Sequence, residues 1–232
     1  VSGPVVPPAT PVELVCLDMA GTTVADDGAV DGAFGRALDE VGVAPGPGRE
    51  RMAAYVRDTM GTSKIDVFRA LLGDEDRAGA ANEAFEAAYD AAVRAGGVRP
   101  LTGAPECLGA LRAAGLRVAL TTGFSPRTRD LLVDSLGWAP LVDLALSPAD
   151  AGRGRPFPDM ILTAVLRLGV TSVGAVAVAG DTRADMMSGR RAGAATVVGV
   201  LTGSDDRARL EGAGATHVLD SVAGLPGLLG VG

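Results

Sequence analysis

Lysine and histidine occur once each in this 232-residue chain, cysteine twice, and aromatic side chains make up 3%. Each scarcity closes a route. Cys16, in an apolar run, and Cys107, in an expected helix, lie too far apart for any metal-binding or redox spacing, so both read as reduced packing residues of a cytoplasmic protein. Few aromatics argue against base-stacking surfaces and for close helix packing through small side chains. With 21 basic against 28 acidic residues and a formal charge of -7, the chain has no basic stripe, which argues against extended contact with nucleic acid. A compact anionic ligand needs a local positive pocket instead. No apolar run reaches the roughly 18 to 20 residues that span a bilayer. The head, VSGPVVPPATP, lacks a charged segment ahead of an apolar one and reads as a flexible tail over residues 1–11. Repeats of solenoid period are absent.

What is present is a 47% hydrophobic composition, enough for one core and a small accessory domain. VELVCLD (12–18) is a short apolar run ending on an acid, as expected of a buried parallel strand. Similar runs recur at 116–123, 174–181 and 195–203, with shorter ones at 141–147 and 216–221. Helical periodicity separates them at 103–115, 125–137, 156–169 and 182–193, and Ser125 followed by Pro126 forms a helix start. This alternation predicts an α/β domain with a doubly wound, Rossmann-like parallel sheet, built from residues 12–25 and 98–232. Residues 26–97 break the rhythm with helical patterns only. A block that long exceeds a single crossover and is expected to be a small all-helical cap over the carboxyl ends of the strands. Its hinges are expected near Ala25–Gly28 and Gly96–Leu101, and the alanine-rich face of 79–95 offers a seam for a homodimer.

Asp18, Thr121, Arg155 and Asp181 follow four separate core segments, and strand-end residues of a doubly wound sheet converge on one crevice. A carboxylate, a hydroxyl, a guanidinium and a second carboxylate suit phosphoryl chemistry. Asp18 can attack phosphorus, Mg²⁺ on Asp18 and Asp181 can neutralise the oxygens, and Thr121 with Arg155 can bind them. Plainer roles stay open: a turn cap for Asp18, helix-start acids for Asp181 and Asp185, and a capping hydroxyl for Thr121. Lys64 stands alone against twenty arginines. Lysine forms a Schiff base where arginine cannot, although an ordinary surface lysine would look the same in the sequence.

DMAGTT (18–23), TTG (121–123), GRP (154–156) and GDTRAD (180–185) together resemble the haloacid dehalogenase superfamily over nearly the whole chain. DMAGT, an arginine where the superfamily usually has lysine, and MGTSK (60–64) resemble its phosphonoacetaldehyde hydrolase, or phosphonatase-like, branch. The resemblance implies Asp18 as nucleophile, and Asp18, the Ala20 carbonyl, Asp181 and Asp185 around Mg²⁺. It implies Gly21, Thr22, Thr121, Thr122, Gly123 and Arg155 around the phosphoryl group, and Met60, Gly61 and Lys64 from the cap, with Lys64 forming an imine with a substrate aldehyde. Superfamily phosphatases usually carry Asp two residues after the nucleophile to protonate a leaving alkoxide, and Ala20 has no such proton. A carbon leaving group needs an electron sink instead, which a protonated imine supplies. For that, Lys64 must be partly neutral near pH 7, by desolvation or neighbouring positive charge.

The segment also departs from the family: TSKIDV places Val67 where a histidine is expected, and Thr62 and Ser63 replace apolar residues. The substrate implied is phosphonoacetaldehyde or a related 2-oxoalkyl phosphonate. His217, near the last strand, is expected to lie too far away to replace the missing histidine, and Arg57 and Arg69 read as cap exterior. The rival readings are a Mg²⁺-dependent phosphatase of small phosphate monoesters, a nucleotide-binding module lacking both a full GxGxxG and a P-loop, and a catalytically silent interaction protein.

Overall fold

The computed structural model describes residues 11–25 and 27–231; the expected tail, apart from Pro11, and Asp26 at the first expected hinge lie outside the described residues. The chain enters on β1 (Leu14–Asp18), buried at every position, and turns through Gly21 into the two-residue strand β2 (Val24–Ala25). Four helices follow without a strand: α1 (Ala29–Glu40), α2 (Pro47–Asp58), α3 (Lys64–Leu72) and α4 (Glu75–Arg94). Their limits are chemical. Pro47 opens α2, left-handed Gly73 closes α3, and the Asp74 side chain accepts from the Arg77 amide to cap α4.

The chain returns through β3 (Arg99–Pro100) to α5 (Ala104–Ala113), β4 (Arg117–Thr121), α6 (Pro126–Ser135), β5 (Leu144–Leu146), α7 (Pro148–Ala151) and α8 (Asp159–Leu168). The remainder is β6 (Val176–Gly180), α9 (Arg183–Ala192), β7 (Thr196–Val200), α10 (Arg207–Gly212), β8 (His217–Leu219) and α11 (Leu225–Leu228). Six strands form one parallel sheet in the order β5-β4-β1-β6-β7-β8. The chain winds outward from β1 to β5, then restarts on β6 at the other side of β1. That reversal puts the crevice at the carboxyl end of β1, flanked by β4 and β6. Thr121 pairs with Asp18 in register, and Gly180 ends β6 one residue before Asp181. Apolar clusters cover both faces, around Leu17, Leu120 and Val198 on one and around Cys16, Ile161 and Val197 on the other.

All six apolar runs form sheet strands, with shifts at the ends. Val173–Ala175 is a 3₁₀ turn in place of strand, and only Leu144–Leu146 of 141–147 pairs with β4. The two crossings between sheet and helical insert, expected as glycine hinges, also pair with each other: β2 and β3 run antiparallel, Val24 against Pro100 and Ala25 against Arg99. Two-residue strands carry too little alternation to be visible in a sequence. The scarce aromatics are not dispersed among small side chains. Phe34, Phe68 and Phe85 of the insert meet at ring-centroid distances of 4.7 to 6.2 Å, and Tyr89 stacks on Phe124 of the sheet domain at 4.5 Å. The insert and the sheet share one apolar core at that seam.

Candidate active site

The turn after β1 is built to present Asp18. The amides of Thr22, Thr23 and Val24 all donate to the Met19 carbonyl, and the Thr23 hydroxyl donates to the Asp18 carbonyl at 2.9 Å. Gly21 has φ +84°, and a Cβ there would stand 2.5 Å from Asp181 Oδ2, so only glycine fits. The Thr22 hydroxyl is spent on Asp181 Oδ1 at 3.0 Å, which makes it a support for that carboxylate.

Asp18, Asp181 and Asp185 bring carboxylate oxygens within 4.8 Å of one another, all three side chains buried. Arg155 reaches in from the loop before α8, donating to Asp18 Oδ1 at 2.5 Å and to Asp185 Oδ1. Asp185 is also the third residue of α9 and closes a capping box with Thr182, whose amide donates to it at 3.1 Å. Burial pushes the Asp18 carboxyl up to about 6 against the pull of the Arg155 guanidinium, and Asp185 adds to the rise. Burial, then repulsion from Asp18 and Asp185, raises Asp181 well above the carboxylate range. Arg155, penalised by burial, is still held above its ordinary range by Asp18 and Asp185. Three buried carboxylates against one guanidinium leave an excess of negative charge that a divalent cation would neutralise. An all-oxygen donor set of this kind suits Mg²⁺, so the residues present fit that ion.

A cavity of about 430 Å³ opens over this cluster, between the strand ends and the insert. From the sheet side it is lined by Asp18, Ala20, Gly21, Thr122, Gly123, Arg155 and Asp181, and from the insert by Met60, Gly61 and Lys64. Lys64 is 7% exposed, with Nζ 5.3 Å from the Phe124 ring centroid and 5.8 Å from that of Phe34. Its position depends on backbone contact. The Lys64 amide donates to the Gly123 carbonyl at 3.3 Å. A Cβ on Gly123 would lie 2.5 Å from the Thr62 carbonyl oxygen, and one on Gly61 2.4 Å from Thr182 Oγ1.

Of the residues singled out from the sequence, Asp18, Ala20, Gly21, Met60, Gly61, Lys64, Thr122, Gly123, Arg155 and Asp181 meet at the cavity. Thr22, Thr121 and Asp185 do not line it. Thr121 turns toward Met160, Ile161 and Asp185 beneath Arg155, because alternate strand residues face opposite sides of the sheet. Val67 is buried in the apolar cluster and does not reach the cavity. His217 is exposed on β8 beside Thr216, and Arg69 lies on the exposed face of α3, bonded to Glu75 and Asp66. Arg57 is exposed and lines a neighbouring chamber. The sequence reading missed Thr202, Gly203 and Ser204. The Ser204 amide donates to Asp181 Oδ2 at 2.8 Å, and Thr202 Oγ1 donates to the Gly21 carbonyl at 2.7 Å. Their signal was a threonine-glycine pair shortly after β7, the same pattern as Thr122-Gly123 after β4.

The chain is similar to known proteins over most of its length. A phosphonoacetaldehyde hydrolase of Nitratidesulfovibrio vulgaris is 30% identical, the match covering 92% of this chain and 88% of that one. The crystal structure of a phosphonoacetaldehyde hydrolase like protein from Oleispira antarctica superposes with a TM-score of 0.80 at 27% identity, covering 96% of this chain and 92% of that one. A predicted phosphoglycolate phosphatase from Haemophilus somnus shares the fold at a TM-score of 0.80 and 18% identity, covering 94% of this chain and 98% of that one. The haloacid dehalogenase-like hydrolase family model matches residues 12–193, a span that holds Asp18, Lys64, Arg155, Asp181 and Asp185. By that match, and with its sheet order and carboxylate cluster, the chain belongs to the haloacid dehalogenase-like hydrolase family.

Proposed function

We propose that this protein is a Mg²⁺-dependent hydrolase that cleaves the carbon–phosphorus bond of phosphonoacetaldehyde or a related 2-oxoalkyl phosphonate. The observation that carries the reading is the meeting of the only lysine with Asp18 across one cavity, over an alanine at position 20. Residues 26–97 act as the cap that brings Lys64 to the core. Lys64 Nζ attacks the substrate carbonyl carbon, water is lost, and a protonated imine remains. An Asp18 carboxylate oxygen then attacks phosphorus. As the O–P bond forms and the C–P bond breaks, its electron pair moves into the adjacent carbon–carbon bond and on to the iminium nitrogen, giving an enamine and an aspartyl phosphate. Protonation of the enamine carbon and hydrolysis at both ends release phosphate and, from phosphonoacetaldehyde, acetaldehyde.

Arg155 holds Asp18 in place and offers positive charge where the phosphonate oxygens gather. When bound by Asp18, Asp181 and the Ala20 carbonyl, with Asp185 direct or through water, Mg²⁺ supplies the remaining charge neutralisation. The Thr122 hydroxyl and the Gly123 backbone line the phosphonate end, and the ring faces of Phe34 and Phe124 exclude water at the amine. A phosphate monoester hydrolase would need an acid for its leaving oxygen, and Ala20 provides none.

The test is phosphate release from phosphonoacetaldehyde with Mg²⁺, for wild type and Lys64→Arg. Release by the wild type and its loss by at least about 10³-fold in the variant is the expected result, the scale of a lost covalent route. Equal turnover of a small phosphate ester by both proteins, with none of the phosphonate, would establish the phosphatase reading instead.

A further inference from the structure

Imine formation needs Lys64 at a fixed distance from a substrate seated on the sheet domain, yet Lys64 belongs to the insert, just after the loop that leaves α2. That loop meets the sheet domain at three points. Two are the close approach of Gly61 to Thr182 and the bond from the Lys64 amide to the Gly123 carbonyl. The third is Asp58, the last residue of α2. Carbonyls in the last turn of a helix lack an intrahelical donor, and the Asp58 carbonyl accepts from Arg183 Nη2 at 2.6 Å. Its carboxylate pairs with Arg209 Nη2 at 2.9 Å. Both arginines come from the sheet domain, Arg183 at the start of α9 and Arg209 in α10. One buried carboxylate ties them together. Asp205 accepts from the Arg183 amide at 2.6 Å and pairs with Arg209 Nε at 3.0 Å, while its own amide donates to the Asp181 carbonyl at 3.1 Å. The grip on Asp58 is therefore fixed to the backbone that presents Asp181.

We propose that Arg183 and Arg209, fixed by Asp205, are positioning residues that latch the end of α2 to the sheet domain and so set the approach of Lys64 to its substrate. The inference rests on the imine reading above. With the latch made, residues 59–63 run between two anchored ends, Asp58 and the Lys64 amide. With it broken, the end of α2 is free to lift, and small displacements of a reacting group are costly in rate. Asp58 and Arg209 also border a chamber of about 490 Å³ that shares Met60 and Ser204 with the main cavity, so the latch lies beside the site. An exposed ion pair has a plain reading as a surface contact of little worth, and a guanidinium at a helix end offsets the dipole. Neither reading requires two donors from the other domain, held by one buried acid, on the residue that precedes the lysine loop.

The experiment compares wild type, Asp58→Ala, Arg209→Ala, Arg209→Lys, the Asp58→Ala/Arg209→Ala pair and the Arg183→Ala/Arg209→Ala pair as Mg²⁺-loaded full chains, with circular dichroism to confirm the fold. Two quantities are read: the rate of borohydride trapping of phosphonoacetaldehyde on Lys64, and hydrogen–deuterium exchange of the amides of residues 59–64. Asp58→Ala, Arg209→Ala and their combination should all trap about 2- to 5-fold more slowly and by the same factor, since they remove one interaction. Arg209→Lys should recover part of the rate. Removing both arginines should slow trapping on the order of 10-fold and speed exchange over 59–64. Wild-type trapping or wild-type exchange in that last variant, or Asp58 and Arg209 effects that multiply, would overturn the latch. A wild type that forms no trapped adduct would instead overturn the imine reading, and the exchange rates would then decide the latch by themselves.

Discussion

At the scale of single residues, the carboxylates of the candidate site are held by hydroxyl and amide donors behind them and by glycines with no side chain at all. Gly203 is the sharpest case, because an added Cβ would lie 1.9 Å from Asp181 Oδ2. Gly203→Ala is expected to displace that carboxylate and cut turnover on the order of 10²-fold, the scale of a misplacement of about 1 Å. Gly212, with nothing within 4 Å of its Cβ position, is the control, and Gly212→Ala should leave turnover unchanged. Steady-state kinetics on both variants decides this. Burial pushes the thiols of Cys16 and Cys107 up to about 12, so almost no thiolate exists at pH 8. Neither should react with iodoacetamide in the folded protein, and both should react after denaturation, as mass spectrometry would show. Asp18, Arg155 and Asp181 were legible in the sequence because each ends or follows an apolar run. Gly203 and Ser204 were not, because they act through space and a backbone amide, and neither carries a charged side chain to draw notice.

At the scale of elements, the helical insert is joined to the sheet domain by a buried polar clamp. Glu86 on α4 accepts from the Ser125 amide at 3.1 Å and from the hydroxyls of Ser125 and Thr128, so an insert carboxylate helps to cap α6. Asp90, one turn along α4 and fully buried, accepts from Thr128 Oγ1 at 2.7 Å and pairs with Arg127 at 2.9 Å. Glu86→Ala removes the acceptor and leaves those donors buried, so it should cost about 1–3 kcal/mol in urea unfolding. Glu86→Gln, which retains an acceptor, should cost less. None of this could be read from the sequence. Ser125 as an N-cap was expected from its neighbours, but a partner 39 residues away cannot be inferred from local pattern. The β2–β3 pairing escaped for the same reason, and the aromatic seam because percentage composition says nothing about where side chains meet.

At the scale of the whole molecule, the alternation of runs gave the sheet correctly, because short, continuous apolar segments bounded by turn residues alternate along the chain with longer segments of helical period. The cavity lies where the winding reverses, and its floor carries more negative charge than Arg155 offsets. A ligand that binds only the folded chain stabilises it, by about 1.4 kcal/mol at a tenfold excess over Kd. Mg²⁺ should therefore raise the midpoint of thermal unfolding, and Asp181→Asn should abolish the rise. An unchanged midpoint in the wild type would contradict the assignment of the three carboxylates to a cation. The central claim is the covalent amine, and the direct measurement is peptide mapping by mass spectrometry after phosphonoacetaldehyde and borohydride are added together. The account predicts a reduced two-carbon adduct on the peptide containing Lys64 and on no other; an unmodified Lys64 peptide from protein that still releases phosphate would contradict it.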